Sequence, residues 1–424
     1  MHLEVVTIGD ELLLGFTIDT NGAYLARELA PLGITVVRRT TVGDGAAEIA
    51  AGVGEALERT GAVITTGGLG PTSDDLTKPS IASLFGRAMH VDAAVVESLR
   101  TRWAALGRSG DIPASNLQQA LIPDGATILA NAHGTAPGIW LEDARGRWVA
   151  MLPGVPREMR GMWADALRPR IRARLTGAPT VVRSTTIRTT GIAESALSDR
   201  IRALDGLDFE GLGLAYLPGW EGVDLRLTAR ELSAVDADAR LARVSAVLRA
   251  AAGDHVYGDD LDDLAGTVLA ALRSTGRRIA VAESCTGGML GARLTAIPGS
   301  SDVFLGGIIA YHNDVKVRAI GVRPATLHAH GAVSEDTARE MAGGVRAALG
   351  ASVGVAINGI AGPAGGTADK PVGTVCIAAD VEGTVRSVRS IMIGDRQEVR
   401  QRSAQAALNL VRRMLHETTA DRAP

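Results

Sequence analysis

A chain of 424 residues exceeds what one ordinary hydrophobic core organises, so two or three domains are expected. Hydrophobic residues make up 46% and charged residues 21%, a globular profile that excludes a disordered chain. With 44 basic against 47 acidic residues, the net charge of -3 argues against a dedicated nucleic-acid or anionic-membrane surface.

The opening MHLEVVTIGDELLLG has no basic n-region and meets Asp10 and Glu11 before any long apolar run, so neither a signal peptide nor a membrane anchor is expected. From there strand and helix alternate. Leu3–Ile8 is an apolar run stopped by Gly9, and a helical pattern follows with Leu25, Leu29 and Leu32 on one face. Thr35–Val42 reads as a strand, Glu48–Arg59 as a helix, and Ala62–Thr66 as a buried strand ending in Gly67-Gly68. This rhythm predicts a parallel sheet covered by helices on both faces, continuing to about residue 170 through a strand at Trp148–Leu152 and a helix from Arg157.

Residues 178–256 change character: a strand at Thr180–Thr190, a helix at Glu194–Leu204, a hairpin from Gly213–Leu217 and Val223–Arg230, and a helix at Asp236–Ala252. That is a small α+β unit with no polar cluster suggestive of chemistry. The acidic Asp259–Asp263 marks a boundary and a helix N-terminus. Residues 260–418 are again α/β, with strands at Ile279–Ala282 and Val353–Asn358 and a final helix striped by Val399, Ser403, Ala406, Leu410 and Met414. The fold class is therefore α/β: two three-layer α/β domains joined by a small α+β unit.

Three N-terminal strands end in acidic loops, holding Asp10 and Glu11, Asp44, and Asp74 with Asp75. If the strands are neighbours, five carboxylates converge beside the glycine loop of Gly68 and Gly70, where backbone N–H groups can approach a phosphate. Carboxylates beside a phosphate repel it unless a divalent cation bridges them, so Mg²⁺ or a similar hard cation (Co or Mn) is implied. Lys78 can neutralise a second phosphate oxygen. The plainer alternative is that each Asp caps the helix after it.

Ser284 follows a buried strand and precedes the Gly287-Gly288 turn, a place where a nucleophile gains exposure and N–H donors for an oxyanion. Lys316, in the string Tyr311-His312-Asn313-Asp314-Val315-Lys316, can act as base if burial lowers its pKa, and Tyr311 can relay a proton to the leaving group. Cys285 is the rival nucleophile, and residue chemistry alone leaves both open. Ser300 and Ser301 either hold a phosphate or form a turn, and Gly362–Gly366 is either an anion nest, the favoured reading, or a plain loop. Arg396 and Arg400, four apart on one helix face, either clamp a phosphate or line a solvated face. His328 and His330 show no ligand spacing. The two cysteines, Cys285 and Cys376, form no disulfide framework or zinc motif, so a reducing, cytoplasmic setting is expected.

With these strings laid out, the sequence resembles the CinA family over essentially its full length. IGDELLLGFTIDTN, VGD, TTGGLGPTSDDLTK and MLPGVPREM resemble its N-terminal half, which is related to the molybdopterin-binding fold; AESCTGGMLGARLTAIPGSS, YHNDVK, GAVSEDTA, GIAGPAGG and KPVGTV resemble its C-terminal half. The resemblance implies a C-terminal nicotinamide mononucleotide deamidase that needs no cofactor. In it Ser284 is the nucleophile, Tyr311 and Lys316 assist, and Ser301 with Arg396 or Arg400 belongs to the substrate pocket. It implies an N-terminal metal-dependent pyrophosphatase acting on ADP-ribose or a similar diphosphate, with metal at Asp10, Glu11, Asp44, Asp74 and Asp75. It also implies a KH-type middle segment and a homodimer. One departure is visible: the family usually has threonine before GIAGP, where this chain has Asn358, which is longer and brings both a donor and an acceptor. The competing readings are pterin or nucleotide binding without turnover, and a DNA-associated competence or damage-response partner.

Overall fold

The computed structural model describes residues 1–105, 107, 110–176, 180–204 and 207–420; the expected boundary at residue 178 lies outside the described residues. By internal contacts the chain divides into two units, Met1–Arg183 with Ala229–Ala239, and Ser184–Thr228 with Arg240–Pro424.

The first unit holds a six-stranded sheet in the order Thr35–Val42, His2–Ile8, Ala62–Thr66, Trp148–Leu152, Gly138–Glu142, Thr127–Leu129. The first four strands run parallel, and the last two join through successive antiparallel pairings. Alternation along each strand splits the apolar residues between two faces. Val6, Ile8 and Val63 pack with Ile49, Val53 and Leu57 of the helix Ala46–Thr60. Leu3, Val5 and Ile64 pack on the other face with Leu25 and Leu29 of the helix Thr20–Leu29 and with Met159 and Trp163. The three strands that carry the acidic loops are adjacent, so their carboxyl ends share one rim.

A four-stranded sheet follows, in the order Gly213–Pro218, Val223–Ser233, Thr180–Thr189, Val256–Asp259. In the second unit a five-stranded sheet is ordered Phe304–Ile309, Ile279–Glu283, Val353–Gly359, Thr374–Val381, Thr384–Ile391. Its first three strands are parallel, and the last two join through successive antiparallel pairings. The helices Leu264–Ser274, Met289–Thr295 and Arg396–Ala420 share one core with Val281, Val355 and Ile357. The helix Glu335–Ala348 covers the other face over Ala280, Ala282 and Ala356. Small residues let that helix come close: a Cβ on Gly354 would stand 2.0 Å from Ala342 O. Among the described residues no helix is long and apolar enough to cross a membrane.

Candidate functional site

Ser284 is the first residue beyond the central strand Ile279–Glu283, and its N–H donates to Ile357 O at 2.9 Å. The neighbouring strand ends alongside it, because Ala310 N donates to Glu283 O at 2.8 Å. The chain then turns at Tyr311 into the helix Asn313–Ile320, whose N-terminus is capped by the His312 ring accepting from Asp314 N. Lys316 lies one turn into this helix and reaches back toward the strand ends.

Its ammonium nitrogen is 3.4 Å from Ser284 Oγ, 2.8 Å from Ala310 O and 3.1 Å from Tyr311 O. Lys316 is only 1% exposed. Burial pushes its pKa below the ordinary lysine value, with a smaller opposing pull from Cys285. A neutral amine has two N–H bonds and one lone pair. Two carbonyls take the two N–H bonds, which leaves the lone pair for the Ser284 hydroxyl proton.

Cys285 points to the opposite side of the sheet, into the core with Val281 and Val355. Desolvation there pushes its thiol up to about 12, so it holds almost no thiolate at neutral pH. Of the two candidate nucleophiles, only the serine has a base beside it.

Glu283, absent from the candidates above, is buried and accepts N–H bonds from Gly288 and Leu290 at 3.0 and 3.1 Å and from Gly291 at 2.8 Å. It closes the N-terminus of the helix Met289–Thr295, satisfying donors that would otherwise be orphaned. Gly287 and Gly288 both have positive φ, 58° and 97°, which lets the chain fold back over this carboxylate. Those helix amides are thus spent, while the N–H groups of Cys285 and Thr286, next in the chain after Ser284, make no backbone–backbone hydrogen bond among the described residues.

The last helix supplies the other wall. Arg396 Nη1 donates to Gly362 O at 2.6 Å and its Nη2 lies 3.4 Å from the Tyr311 hydroxyl. Arg400 Nη2 donates to Thr286 O at 2.8 Å. The two arginines thereby tie the Gly362 loop and the Ser284 loop together and keep further N–H donors free. Tyr311 is 62% exposed at the mouth.

In the first unit, a cavity of about 440 Å³ opens at the shared rim, lined by Gly68, Gly70, Glu11, Asp44, Asp74 and Asp75 among others. Gly67 and Gly68 have φ of 112° and 64°, and a Cβ on either would meet Ile8 O at 2.2 Å or Thr77 Oγ1 at 2.1 Å. The expected gathering of five carboxylates is only partly realised. Asp10 does not line the cavity: its Oδ1 accepts from Asp44 N at 3.3 Å while Asp44 Oδ2 accepts from Asp10 N at 3.1 Å. Asp75 is turned into its own loop, accepting from Gly70 N, Thr72 N and the Thr72 hydroxyl. Among the described residues no three Asp, Glu, His or Cys side chains stand close enough to hold a metal ion by themselves. The all-carboxylate donor set still has the chemistry of a hard-cation site, which Mg²⁺ often fills with one or two carboxylates plus substrate phosphate. Lys78 departs from its expected place on a phosphate: it is buried and donates to Gln118 O and Gln119 O at 2.6 and 3.0 Å.

Three family models match the chain: a probable molybdopterin binding domain over residues 4–173, a damage-inducible protein CinA KH domain over 184–258, and a CinA C-terminal domain over 261–415. A CinA-like protein of Gemmatimonas aurantiaca is 58% identical over 422 residues, covering 99% of this chain and 98% of its own. The chain belongs to the CinA family. A putative competence-damage inducible protein of Moorella thermoacetica is 41% identical over 418 residues, covering 98% and 99%. Among solved structures, a competence/damage inducible protein of Agrobacterium tumefaciens is 39% identical and covers 36% of this chain and 93% of its own, with a TM-score of 0.35.

Two positions carried over from the CinA resemblance sit elsewhere than expected. Ser301 lies in the turn before Phe304–Ile309, and the parallel pairing of Phe304 with Ile279 puts that turn at the opposite end of the strands from Ser284. Asn358 follows Ile357, the partner of Glu283, but it is 1% exposed and its Nδ2 donates to Ser334 O at 3.2 Å. Its Oδ1 has no partner, and no hydrogen bond joins it to Ser284, Tyr311 or Lys316. One compositional signal was available for the bases. The chain has only three lysines, Lys78, Lys316 and Lys370, and every other side-chain cation among its 44 basic residues is arginine. Lysine can lose its proton when buried and arginine cannot, so rare lysines point to places where a neutral amine is tolerated.

Proposed function

We propose that this CinA-family chain is an amidohydrolase that converts nicotinamide mononucleotide to nicotinate mononucleotide and ammonia at Ser284. The observation that carries the reading is the buried Lys316 amine 3.4 Å from Ser284 Oγ, with its other bonds taken by two carbonyls. Lys316 takes the hydroxyl proton as Ser284 Oγ attacks the amide carbon. The tetrahedral oxyanion is met by the N–H groups of Cys285 and Thr286. Lys316, now protonated, returns the proton to the departing nitrogen, with the Tyr311 hydroxyl at the mouth as the relay, and ammonia leaves. Water, activated by the same amine, then cleaves the acyl ester and regenerates Ser284. The 3.4 Å separation is long for a hydrogen bond and shortens when substrate docks. Arg396 and Arg400 retain N–H donors for the substrate phosphate while bracing both loops.

The test is ammonia release from nicotinamide mononucleotide by wild type, Ser284→Ala and Cys285→Ala, each with and without EDTA. Turnover that resists EDTA, is abolished in Ser284→Ala and survives in Cys285→Ala supports the reading. Loss in Cys285→Ala with retention in Ser284→Ala overturns it.

The cavity in the first unit favours a second activity, cleavage of ADP-ribose or a related diphosphate. Its glycine loop offers close backbone approach to phosphate, and one or two of Glu11, Asp44 and Asp74 would hold a divalent cation together with substrate oxygens. When bound, that cation supplies charge neutralisation for the diphosphate. Diphosphate cleavage that requires added Mg²⁺, Mn²⁺ or Co²⁺ is the result that supports this assignment. Tight binding without product would support the pterin- or nucleotide-binding alternative.

A further inference from the structure

A cavity of about 670 Å³ lies within the second unit, away from Ser284. One side is the loop Thr190–Ala193 and the start of the helix Glu194–Arg202; another is the turn around Trp220; the last is the helix Arg396–Ala420 with Val388 and Ser390 of the strand Thr384–Ile391 and Met392 just beyond it. Arg402 and Arg413 both line it, and among the described residues neither makes a hydrogen bond or ion pair. The Nε of Arg402 is shielded from solvent and still has no partner.

That arrangement is unusual within this molecule. Most guanidiniums that sit in partly enclosed places here are answered: Arg293 by Asp263 and Gln405, Arg188 by Glu221 and Asp224, Arg412 by the carbonyls of Asp254 and Val256. Arg413 is exposed, but at Arg402 the shielded Nε is a charged donor without a partner, which is costly, and an anionic ligand removes the cost. The carboxylate of Glu221 at the cavity wall is already neutralised by Arg188 and Arg293. Glu194, exposed at the rim, is the remaining acid. The helix it begins has no side-chain cap, so its first N–H groups add positive potential on the same side. Between these polar ends, Ile192, Met392 and Leu410 form an apolar wall. The volume falls in the range that accepts a small organic molecule.

We propose that this cavity is a second ligand site of the unit, taking a phosphorylated small organic molecule. Its phosphate sits on Arg402 and Arg413 and its ring system lies against the Ile192, Met392 and Leu410 wall. The assignment is independent of the chemistry at Ser284.

The test uses the full chain, with AMP as probe and with adenosine and inorganic phosphate as the comparison arms. Binding is followed by equilibrium dialysis, and amide hydrogen exchange locates it. AMP is expected to slow exchange in segments 190–194, 218–223 and 402–413. Arg402→Gln with Arg413→Gln is expected to weaken that local protection at least tenfold in AMP concentration. Arg413→Gln alone, at an exposed position, gives a smaller loss in the same direction and guards against misfolding of the double variant, whose ligand-free unfolding midpoint is measured alongside. Adenosine is expected to give no protection. Protection that persists in the double variant, or that never falls on these three segments, overturns the proposal. Equal protection by inorganic phosphate overturns its organic part.

Discussion

A primary amine enclosed beside a hydroxyl has few ways to satisfy its valences, and at Lys316 two carbonyls and one serine account for all of them. Lys316→Met removes the base while keeping the apolar stem, and turnover is expected to fall by about 10²–10⁴-fold with the folded state intact. Because the neutral amine is the active form, kcat/KM in wild type rises with pH and levels off below the ordinary lysine value of 10.5. A pH profile that is flat in wild type, or a Lys316→Met variant of normal rate, would remove the lysine from the reaction. Lys78 gives a stability counterpart. Burial lowers its pKa from 10.5 to about 8, against a smaller opposing effect of Asp75. Below about pH 8 both folded and unfolded chains carry this proton, and the burial cost is felt in full. Between about 8 and 10.5 the folded chain releases the proton while the unfolded chain keeps it, so stability rises with pH. Denaturation midpoints across that interval should climb less steeply in Lys78→Met than in wild type.

Glu283 shows how one buried carboxylate organises an element. It holds three amides at the start of a seven-residue helix, Met289–Thr295, that is too short to be stable by propensity alone. Glu283→Ala leaves those donors unsatisfied beneath the nucleophile, and a loss on the order of 3 kcal/mol in unfolding free energy is expected, with a larger proportional fall in turnover. Chemical denaturation and ammonia release on the same preparation check both. The elements themselves were legible where apolar runs are bounded by glycine. Thr35–Val42 and Ala62–Thr66 read from the sequence with the bounds seen in the structure, because β-branched residues fill them and Gly33, Gly43, Gly61 and Gly67 end them. The short antiparallel strand Thr127–Leu129 and the exposed edge strand Thr384–Ile391 were not legible, since three residues or a polar alternation say little about pairing. At the site, the types of residue were legible and their facing was not. Ser284 and Cys285 are adjacent in sequence, and only the strand's end decides that one meets Lys316 and the other enters the core. Strand adjacency places the acidic loops of the first unit on one rim, but the local bonds that turn Asp10 and Asp75 aside depend on loop conformation, which the sequence does not show.

On the scale of the molecule, the two proposed chemistries are carried by separate units, each with its own sheet and core. Asp44→Asn with Glu11→Gln is therefore expected to reduce metal-dependent diphosphate cleavage at least tenfold and to leave ammonia release unchanged, while Ser284→Ala does the reverse. Parallel assays of both products on each variant decide it, and a shared loss would mean the activities are not separable. The cysteines bear on how such experiments can be done. Both thiols of the chain are buried, and that of Cys285 is held near 12. The folded protein thus offers maleimide no ready native target. A cysteine introduced at exposed Ile393, just before the helix that carries Arg396 and Arg400, would take a single fluorophore at a known address. Ligand arrival could then be followed optically in the intact wild-type background, with neither native thiol removed.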